Sequence, residues 1–221
     1  MKIEITKIFE DSKKRYGFPK ITRILISNGY KISEKRVSKI MREAGLRSIT
    51  LKKFNHFTSD KQDNTREYPN LLEQNFIAEK TGQKWVGDIT YIYTIETGLI
   101  YLAIVMDLFD LKVIGWHYGE KMDTDLVIKA FQKASRARKL EQGSISHSDR
   151  GSQYTTKKFE KLLETMGIKH SYSKKGYHYD NESFNAILKK EEVNVNNYAT
   201  FEEAKLEIFE FIESWYAGII I

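Results

Sequence analysis

The sequence predicts an α/β fold, a mixed five-stranded sheet flanked by helices and preceded by a small all-α segment. Three observations lead to this prediction. Three successive β-branched and aromatic runs are joined by short turns, which is typical of an antiparallel meander. Two further apolar runs each follow a segment of helical periodicity, as in parallel crossover units. The first 46 residues show helical periodicity alone, interrupted by glycine.

The meander strands are predicted from their composition. Val, Ile, Tyr and Trp are concentrated in these runs, and Thr97-Gly98 supplies the first turn. The predicted strands cover residues 85–95, 99–107 and 112–118. Their short connections favour antiparallel pairing, because parallel neighbours need a crossover of a dozen residues or more.

The crossover part alternates helices and strands. An apolar stripe that includes Leu126, Ala130 and Phe131 predicts the first helix, and Gly167 ends the second. In chain order, the predicted elements are helix 124–139, strand 145–147, helix 156–166, strand 168–173, helix 181–192 and helix 201–216. Helices on both faces of one sheet follow from this order.

Residues 1–46 predict a helix-turn-helix segment. Pro19 suits a helix start, Asn28-Gly29 a helix end, and Ser33 the N-cap of a third helix. The outer face of that helix carries the basic residues Lys35, Arg36, Lys39 and Arg42. This face suits phosphates or base edges in a major groove. An ordinary helical hairpin with a polar outer face would show the same pattern.

The charge of the chain is unevenly distributed. Net charge is +6, but residues 1–58 hold 15 basic and 5 acidic side chains. This asymmetry favours a polyanion, most commonly nucleic acid, over a basic face kept for solubility. Residues 47–70 predict a basic linker, in which Lys52 and Lys53 could follow a nucleic-acid backbone or serve only as a tether.

Size and composition narrow the class of protein. A chain of 221 residues with 41% hydrophobic residues can form one core domain with a small appendage. It has no Cys, and its five His show no close paired spacing, which argues against disulfides and structural zinc. The longest apolar stretch, of about ten residues, is too short for a membrane span. We therefore expect a cytoplasmic protein without a membrane partner.

Three carboxylates stand at informative positions. Asp88 lies inside the first strand, Asp149 follows the fourth in a polar loop, and Glu182 begins a helix. Taken singly, each is explained by a structural role such as a turn or a helix first turn. Together they could hold a pair of Mg²⁺ or Mn²⁺ ions for phosphoryl transfer. His147 could contact the phosphate, hold Asp149 by hydrogen bonding, or merely end its strand.

Several motifs resemble one family. The most specific is HSDRGSQY at 147–154, joined by WVGDITY at 85–91, RYGFPKI at 15–21 and ESF at 182–184. These motifs resemble the transposases of the large IS-three group of bacterial insertion sequences. That resemblance implies an RNase H-like integrase core and assigns the catalytic and metal-ligand roles to Asp88, Asp149 and Glu182.

The resemblance also implies partners. It implies strand cleavage and transfer on double-stranded DNA, at the terminal repeats of an element and at target DNA. A homo-oligomer would bring two ends together in a synaptic complex, and an upstream reading frame could supply another partner. Lys174 and Lys175 precede the Glu182 helix and suit DNA contacts near the cut, although a solvated loop explains them equally well.

Two departures from the family pattern affect these expectations. The family places about three residues between the Asp-Asn pair and Glu, whereas Glu182 follows Asn181 directly, so the usual spacing falls on Asn185. If the preceding loop absorbs the shortening, Glu182 reaches the site; otherwise Asp180 is the next candidate. The apolar tail 217–221 predicts a C-terminally truncated core, 71–221. A catalytically inactive DNA-binding remnant and an RNase H-like nuclease are the alternative functions.

Overall fold

The computed structural model describes residues 1–49, 68–173 and 182–216, without the side chains of 182–184 and 215. Two compact units are present, one within 1–54 and the other within 55–221. Several predicted features lie outside the described residues. These are Lys52, Lys53, Lys174, Lys175, Asp180 and the tail 217–221.

The N-terminal unit consists of three short helices: α1 (Lys2–Asp11), α2 (Phe18–Ser27) and α3 (Glu34–Glu43). Each contributes two apolar side chains to a common core: Ile5, Phe9, Ile21, Leu25, Val37 and Met41. Helical periodicity predicts that Ile3 lies on the inner face of α1, but it is 81% exposed. A ten-residue helix in so small a unit buries only one pair of residues spaced four apart, and Ile3 lies outside that pair.

The helix ends follow the predicted signals. Pro19 lies in the first turn of α2, and the Ser33 hydroxyl accepts a hydrogen bond from the amide of Arg36 at 3.4 Å. After α3, Gly45 adopts a φ of +69°, and the amide of Leu46 donates to the carbonyl of Met41. This left-handed glycine ends the helix because a Cβ there would be strained.

The C-terminal unit is built on a five-stranded mixed sheet with the order β3-β2-β1-β4-β5. The strands are β1 (Lys84–Thr94), β2 (Gly98–Asp107), β3 (Val113–Gly119), β4 (Ile145–Ser148) and β5 (Lys169–Tyr172). β1, β2 and β3 pair in an antiparallel meander, while β4 pairs in parallel with β1 and β5. The predicted fold class is confirmed.

Helices cover both faces of this sheet. They are α4 (Thr124–Ala137), α5 (Lys157–Thr165), α6 (Glu182–Leu188) and α7 (Phe201–Glu210). α6 continues as a π-helix over Lys189–Val193, and α7 continues as one over Phe211–Tyr216. Residues of α4 and α5 pack with Trp85, Ala103 and Val105, whereas those of α6 and α7 pack with Ile92, Leu102 and Ile104.

The free edge of β5 is covered by residues 68–72. The amide of Tyr172 donates to the carbonyl of Pro69 at 2.8 Å, and the amide of Leu71 donates to the Ser171 hydroxyl at 2.8 Å. A covered edge cannot pair with another chain. Across the three described stretches, no helix is long and apolar enough to cross a bilayer.

Candidate functional site

The site begins with two neighbouring parallel strands. In the β1–β4 register, Val86 lies opposite His147. Asp88 lies two positions further along β1, and Asp149 is the first residue after β4. The two aspartates are close enough that the charge of Asp149 raises the pKa of Asp88, and both raise the pKa of the Tyr154 hydroxyl. The predicted convergence of Asp88 and Asp149 is therefore present in the fold.

Asp88 is partly buried, and both of its oxygens accept hydrogen bonds. Oδ1 accepts from the amide of Ile89 at 2.8 Å, and Oδ2 accepts from Nδ2 of Asn185 at 2.5 Å. Burial, followed by repulsion from Asp149, raises the pKa of Asp88 to about 7. The Asn185 hydrogen bond and the charge of Lys189 act in the opposite direction and favour the carboxylate.

Asp149 is held by the loop that follows β4. Its Oδ1 accepts from the amide of Gly151 at 2.9 Å, and a Cβ at position 151 would lie only 2.9 Å from that oxygen. Nε2 of Gln153 donates to the carbonyl of Met122, which ties the loop to the residues before α4. The glycine therefore lets the backbone approach the carboxylate closely.

Aromatic side chains pack against Gly87, the residue before Asp88. A Cβ at Gly87 would lie 3.0 Å from the ring of Phe131 and 3.3 Å from that of Tyr154. Tyr154 is 1% exposed, and burial together with Asp88 and Asp149 raises the pKa of its hydroxyl well above 10.0. The Tyr154 hydroxyl is thus close to both aspartates, and the burial of Asp88 strengthens the interaction between their charges.

Helix α6 also contributes to the site, because its Asn185 contacts Asp88. Asn185 is 7% exposed and bonds to Asp88, while Nζ of Lys189 lies 4.2 Å from the centre of the Tyr91 ring. Glu182 is the first residue of α6, and its side chain lies outside the described atoms. No contact of Asn185 or Lys189 was predicted from the sequence, although the spacing 182, 185, 189 follows one helix face.

The chemistry of this site suits a hard divalent cation. Two carboxylates share a poorly solvated position, and their mutual repulsion would be relieved by Mg²⁺ or Mn²⁺. Tyr154 Oη and Asn185 Oδ1 are buried without a hydrogen-bond partner in the described part of the chain. No group of three or more His, Asp or Glu residues suited to a metal occurs among the described residues. Among the described side chains, the candidate cation ligands are therefore Asp88 and Asp149.

Two family models match the chain, "Integrase core domain" over residues 78–178 and "HTH-like domain" over residues 1–54. The transposase for insertion sequence element IS904 from Lactococcus lactis is 38% identical over 217 residues, covering 96% of this chain and 85% of the relative. The chain belongs to the IS3 family of insertion-sequence transposases. Transposase InsF for insertion sequence IS3A from Escherichia coli is 38% identical over 94% of this chain and 73% of its own length.

Solved structures share the fold of this IS3-family chain. The catalytic domain of Mos1 mariner transposase superimposes with a TM-score of 0.51 at 16% identity, over 60% of this chain and 71% of that one. A Mos1 catalytic domain described as solved with Raltegravir and Mg gives a TM-score of 0.51 at 17% identity, over 60% of this chain and 72% of that one. The RNase H-like core expected from the sequence is confirmed.

Other acidic and histidine candidates in this transposase have structural roles. His147 is fully buried, and its Nδ1 lies 2.9 Å from the Ser171 hydroxyl. Asp107 accepts from the amides of Gly82 and Phe109 and lies 3.4 Å from Arg138. Asp107 therefore organises the turn after β2.

Four of the eight predicted DNA-binding residues of the IS3-family chain lie together on α3, and the other four lie outside the described residues. Val37 and Met41 are buried, and the opposite face is exposed. Lys35, Arg36, Lys39 and Arg42 are all exposed on that face. Lys39 also lies 3.8 Å from Glu43, a surface ion pair that phosphate could replace at little cost.

Proposed function

We propose that this IS3-family chain cleaves and transfers DNA strands at the ends of an insertion element. The proximity of Asp88 in β1 to Asp149, directly after the neighbouring strand β4, is the observation that carries the proposal. Asp88, Asp149 and Glu182 would hold two Mg²⁺ or Mn²⁺ ions, with Glu182 supplied by the first turn of α6. The catalytic core would comprise 71–221, joined through 47–70 to the DNA-binding segment 1–46.

The proposed reaction has two phosphoryl-transfer steps. Water attacks a phosphodiester at the element end, a P–O bond breaks, and the leaving oxygen takes a proton to become a 3′ hydroxyl. That hydroxyl then attacks a phosphodiester of the target, forming one P–O bond and breaking another. When bound, divalent cations polarise the phosphate and favour deprotonation of the attacking oxygen.

The chain itself supplies orientation and a poorly hydrated site. Gly151 holds the Asp149 carboxylate through its amide, and Asp88 is fixed from two sides by Ile89 and Asn185. Burial of Asp88 limits its hydration, as its raised pKa indicates. Because both carboxylates are fixed before DNA arrives, little reorganisation is needed as charge develops on the phosphate.

DNA would be recognised in duplex form. The exposed basic face of α3 is expected to contact a major groove or its phosphates, and Lys52, Lys53, Lys174 and Lys175 are proposed to contact the backbone. The solved relatives include one described as a pre-cleavage Mos1 transpososome. We propose that this chain also acts as a homo-oligomer on two DNA ends, with an upstream-frame product as a further partner.

A nicking assay tests the proposal. The substrate is a duplex carrying the terminal repeats that flank the gene, with Mg²⁺ or Mn²⁺ added or chelated. We expect nicking that requires the cation, and at least a 1,000-fold loss in Asp88→Asn and Asp149→Asn because each removes a metal ligand. DNA affinity, measured by fluorescence anisotropy, should stay within about twofold.

Asp125→Asn is the matched control, because Asp125 is an exposed acid on α4 paired with Lys158. It should nick as the wild type does. Equal loss of DNA binding in the two site variants would count against the proposal. Preferential cleavage of an RNA–DNA hybrid would favour a nuclease, and cation-independent binding without nicking would favour an inactive remnant.

A further inference from the structure

We infer that Asn185 is a positioning residue that orients Asp88 and anchors the first turn of α6, on which Glu182 lies. This inference rests on the proposed function and adds a residue to it. Nδ2 of Asn185 donates to Oδ2 of Asp88 at 2.5 Å, between positions 97 residues apart in sequence. This hydrogen bond is therefore a tertiary contact between α6 and β1.

The direction of this hydrogen bond defines what Asn185 can do. The ionised Asp88, the form that binds a cation, only accepts hydrogen bonds, so the amide presents its NH₂ group to this form. An amide nitrogen is not a ligand for Mg²⁺ or Mn²⁺, which prefer oxygen. In contact with Asp88, Asn185 thus fixes one carboxylate oxygen and leaves the cation to the aspartates.

The helix spacing extends this effect to Glu182. Positions 182, 185 and 189 recur at i, i+3 and i+7, which places them on one side of a helix. Two of the three already contact β1: Asn185 contacts Asp88, and Lys189 lies over Tyr91. Glu182 precedes Asn185 by one turn, a rise of about 4.5 Å.

This arrangement bears on the shortened motif. Asn185, the position that the usual family spacing would make catalytic, instead links α6 to β1 through Asp88. This contact therefore also holds the turn of α6 that carries Glu182. A direct cation contact through the buried Oδ1 of Asn185 is the competing explanation.

Cation affinity is the first test. Mn²⁺ binding to the full-length chain is measured by titration calorimetry for the wild type and for Asn185→Leu, which keeps the size but removes the donor. Removing a hydrogen-bond partner of a metal ligand typically weakens metal binding 10–100-fold, so we expect at least a tenfold rise in Kd. Nicking should recover partly at high Mn²⁺, because the ligands remain.

Asn196→Leu is the matched control. Nδ2 of Asn196 donates to Oε1 of Glu192 at 2.5 Å, the same kind of bond outside the aspartate pair. It should leave Mn²⁺ affinity unchanged. Thermal unfolding verifies that each variant folds, and Asn185→Ala replaces Asn185→Leu if the leucine prevents folding. An unchanged Kd in a folded Asn185 variant would overturn the inference.

A soft-metal experiment separates positioning from ligation. The chain has no cysteine, so Glu182→Cys and Asn185→Cys each introduce a single thiol, a ligand that prefers soft metals. With Cd²⁺, we expect a thiolate–metal absorption band in Glu182→Cys and none in Asn185→Cys. A band in Asn185→Cys would show that this position ligates the cation, and absence of both bands would show that α6 does not present Glu182.

The two proposals fail differently. A wild-type chain that neither binds Mn²⁺ nor nicks DNA contradicts the proposed function, and the positioning role with it. A wild-type chain that binds and nicks, together with an Asn185→Leu variant of equal Mn²⁺ affinity, removes only the positioning role.

Discussion

At the scale of single residues, the aspartate pair is expected to lower the free energy of unfolding when no cation is bound. Asp88 and Asp149 place two like charges close together and near the buried Tyr154 hydroxyl. Without a cation, such a pair is costly, because neither charge is fully solvated and each repels the other. The cost is consistent with a functional position, since a packing role would be served better by a neutral side chain.

Asp88→Asn should therefore stabilise the cation-free protein. The amide removes the repulsion with Asp149 while keeping nearly the same size. We expect the free energy of unfolding at pH 8, measured by urea denaturation with a chelator, to rise by roughly 1–2 kcal/mol. Added Mn²⁺ should stabilise only the wild type. A variant less stable than the wild type would mean that Asp88 is a structural residue.

His170 gives a pH-dependent prediction away from the aspartates. Burial, and then the neighbouring His147, lower the pKa of His170 to about 3 from 6.5, and its Nε2 lies 2.9 Å from the Ser148 hydroxyl. Below pH 6.5, His170 takes up a proton in the unfolded chain but not in the folded chain. The free energy of unfolding therefore decreases as the pH falls from about 6.5 toward 3.

We expect the wild type to lose about 2 kcal/mol more than His170→Asn between pH 7 and pH 5 in urea denaturation. The comparison with the variant is essential, because a carboxyl whose pKa is raised, such as Asp88, changes stability in the opposite sense over this range. Parallel pH profiles for the two proteins would contradict a neutral, buried His170.

At the scale of elements, one glycine sets the distance between the sheet and a helix. A Cβ at Gly115 in β3 would lie 2.3 Å from the carbonyl oxygen of Ala130 and 2.6 Å from the amide nitrogen of Ala134 in α4. Both atoms belong to the backbone, so no side-chain rotation can relieve the clash. The approach of β3 and α4 is thus possible only with glycine.

Gly115→Ala should separate α4 from the sheet and destabilise the C-terminal unit by about 2 kcal/mol or more. The measurement is chemical denaturation followed by circular dichroism. DNA affinity should be unchanged at temperatures where the variant is folded, since Gly115 lies outside the α3 unit. A variant as stable as the wild type would show that α4 can shift without loss of packing.

At the scale of the whole molecule, we expect one unit to bind DNA and the other to carry the cation-dependent step. The basic excess lies in residues 1–58, whereas the aspartate pair lies in the acidic remainder. DNA affinity and cation affinity should therefore respond to different substitutions. Separate control of binding and cleavage would let the chain hold DNA before the cation-dependent step begins.

Replacing Arg36 and Arg42 together by Ala should weaken duplex binding by at least tenfold. It should also reduce the slope of log affinity against log salt by about 1 for each phosphate that the variant no longer neutralises. Lys157→Ala on α5, an exposed lysine of the other unit, is the control and should change little. Mn²⁺ affinity should be the same in all three proteins, and a parallel loss of both affinities would contradict the division.

The elements, their order and the two aspartates could be predicted from the sequence, because periodicity, caps and turn residues act within a few neighbouring positions. Thr156 caps α5 through the amide of Phe159, and Asp123 caps α4 through the amide of Leu126, each within three residues. The exposure of Ile3 could not be predicted in this way, because burial depends on how much of a short helix its neighbours can cover.

The surroundings of the aspartates depend on tertiary packing and were not predictable from local pattern. The parallel pairing of β1 with β4 brings the residue after β4, Asp149, near Asp88, and the packing of α6 brings Asn185 to Asp88. A residue spacing alone does not say whether a loop or a helix absorbs a shortening, since the two cases differ only in how distant segments pack. That packing places Asn185 in contact with Asp88, a contact that the sequence motif alone does not predict.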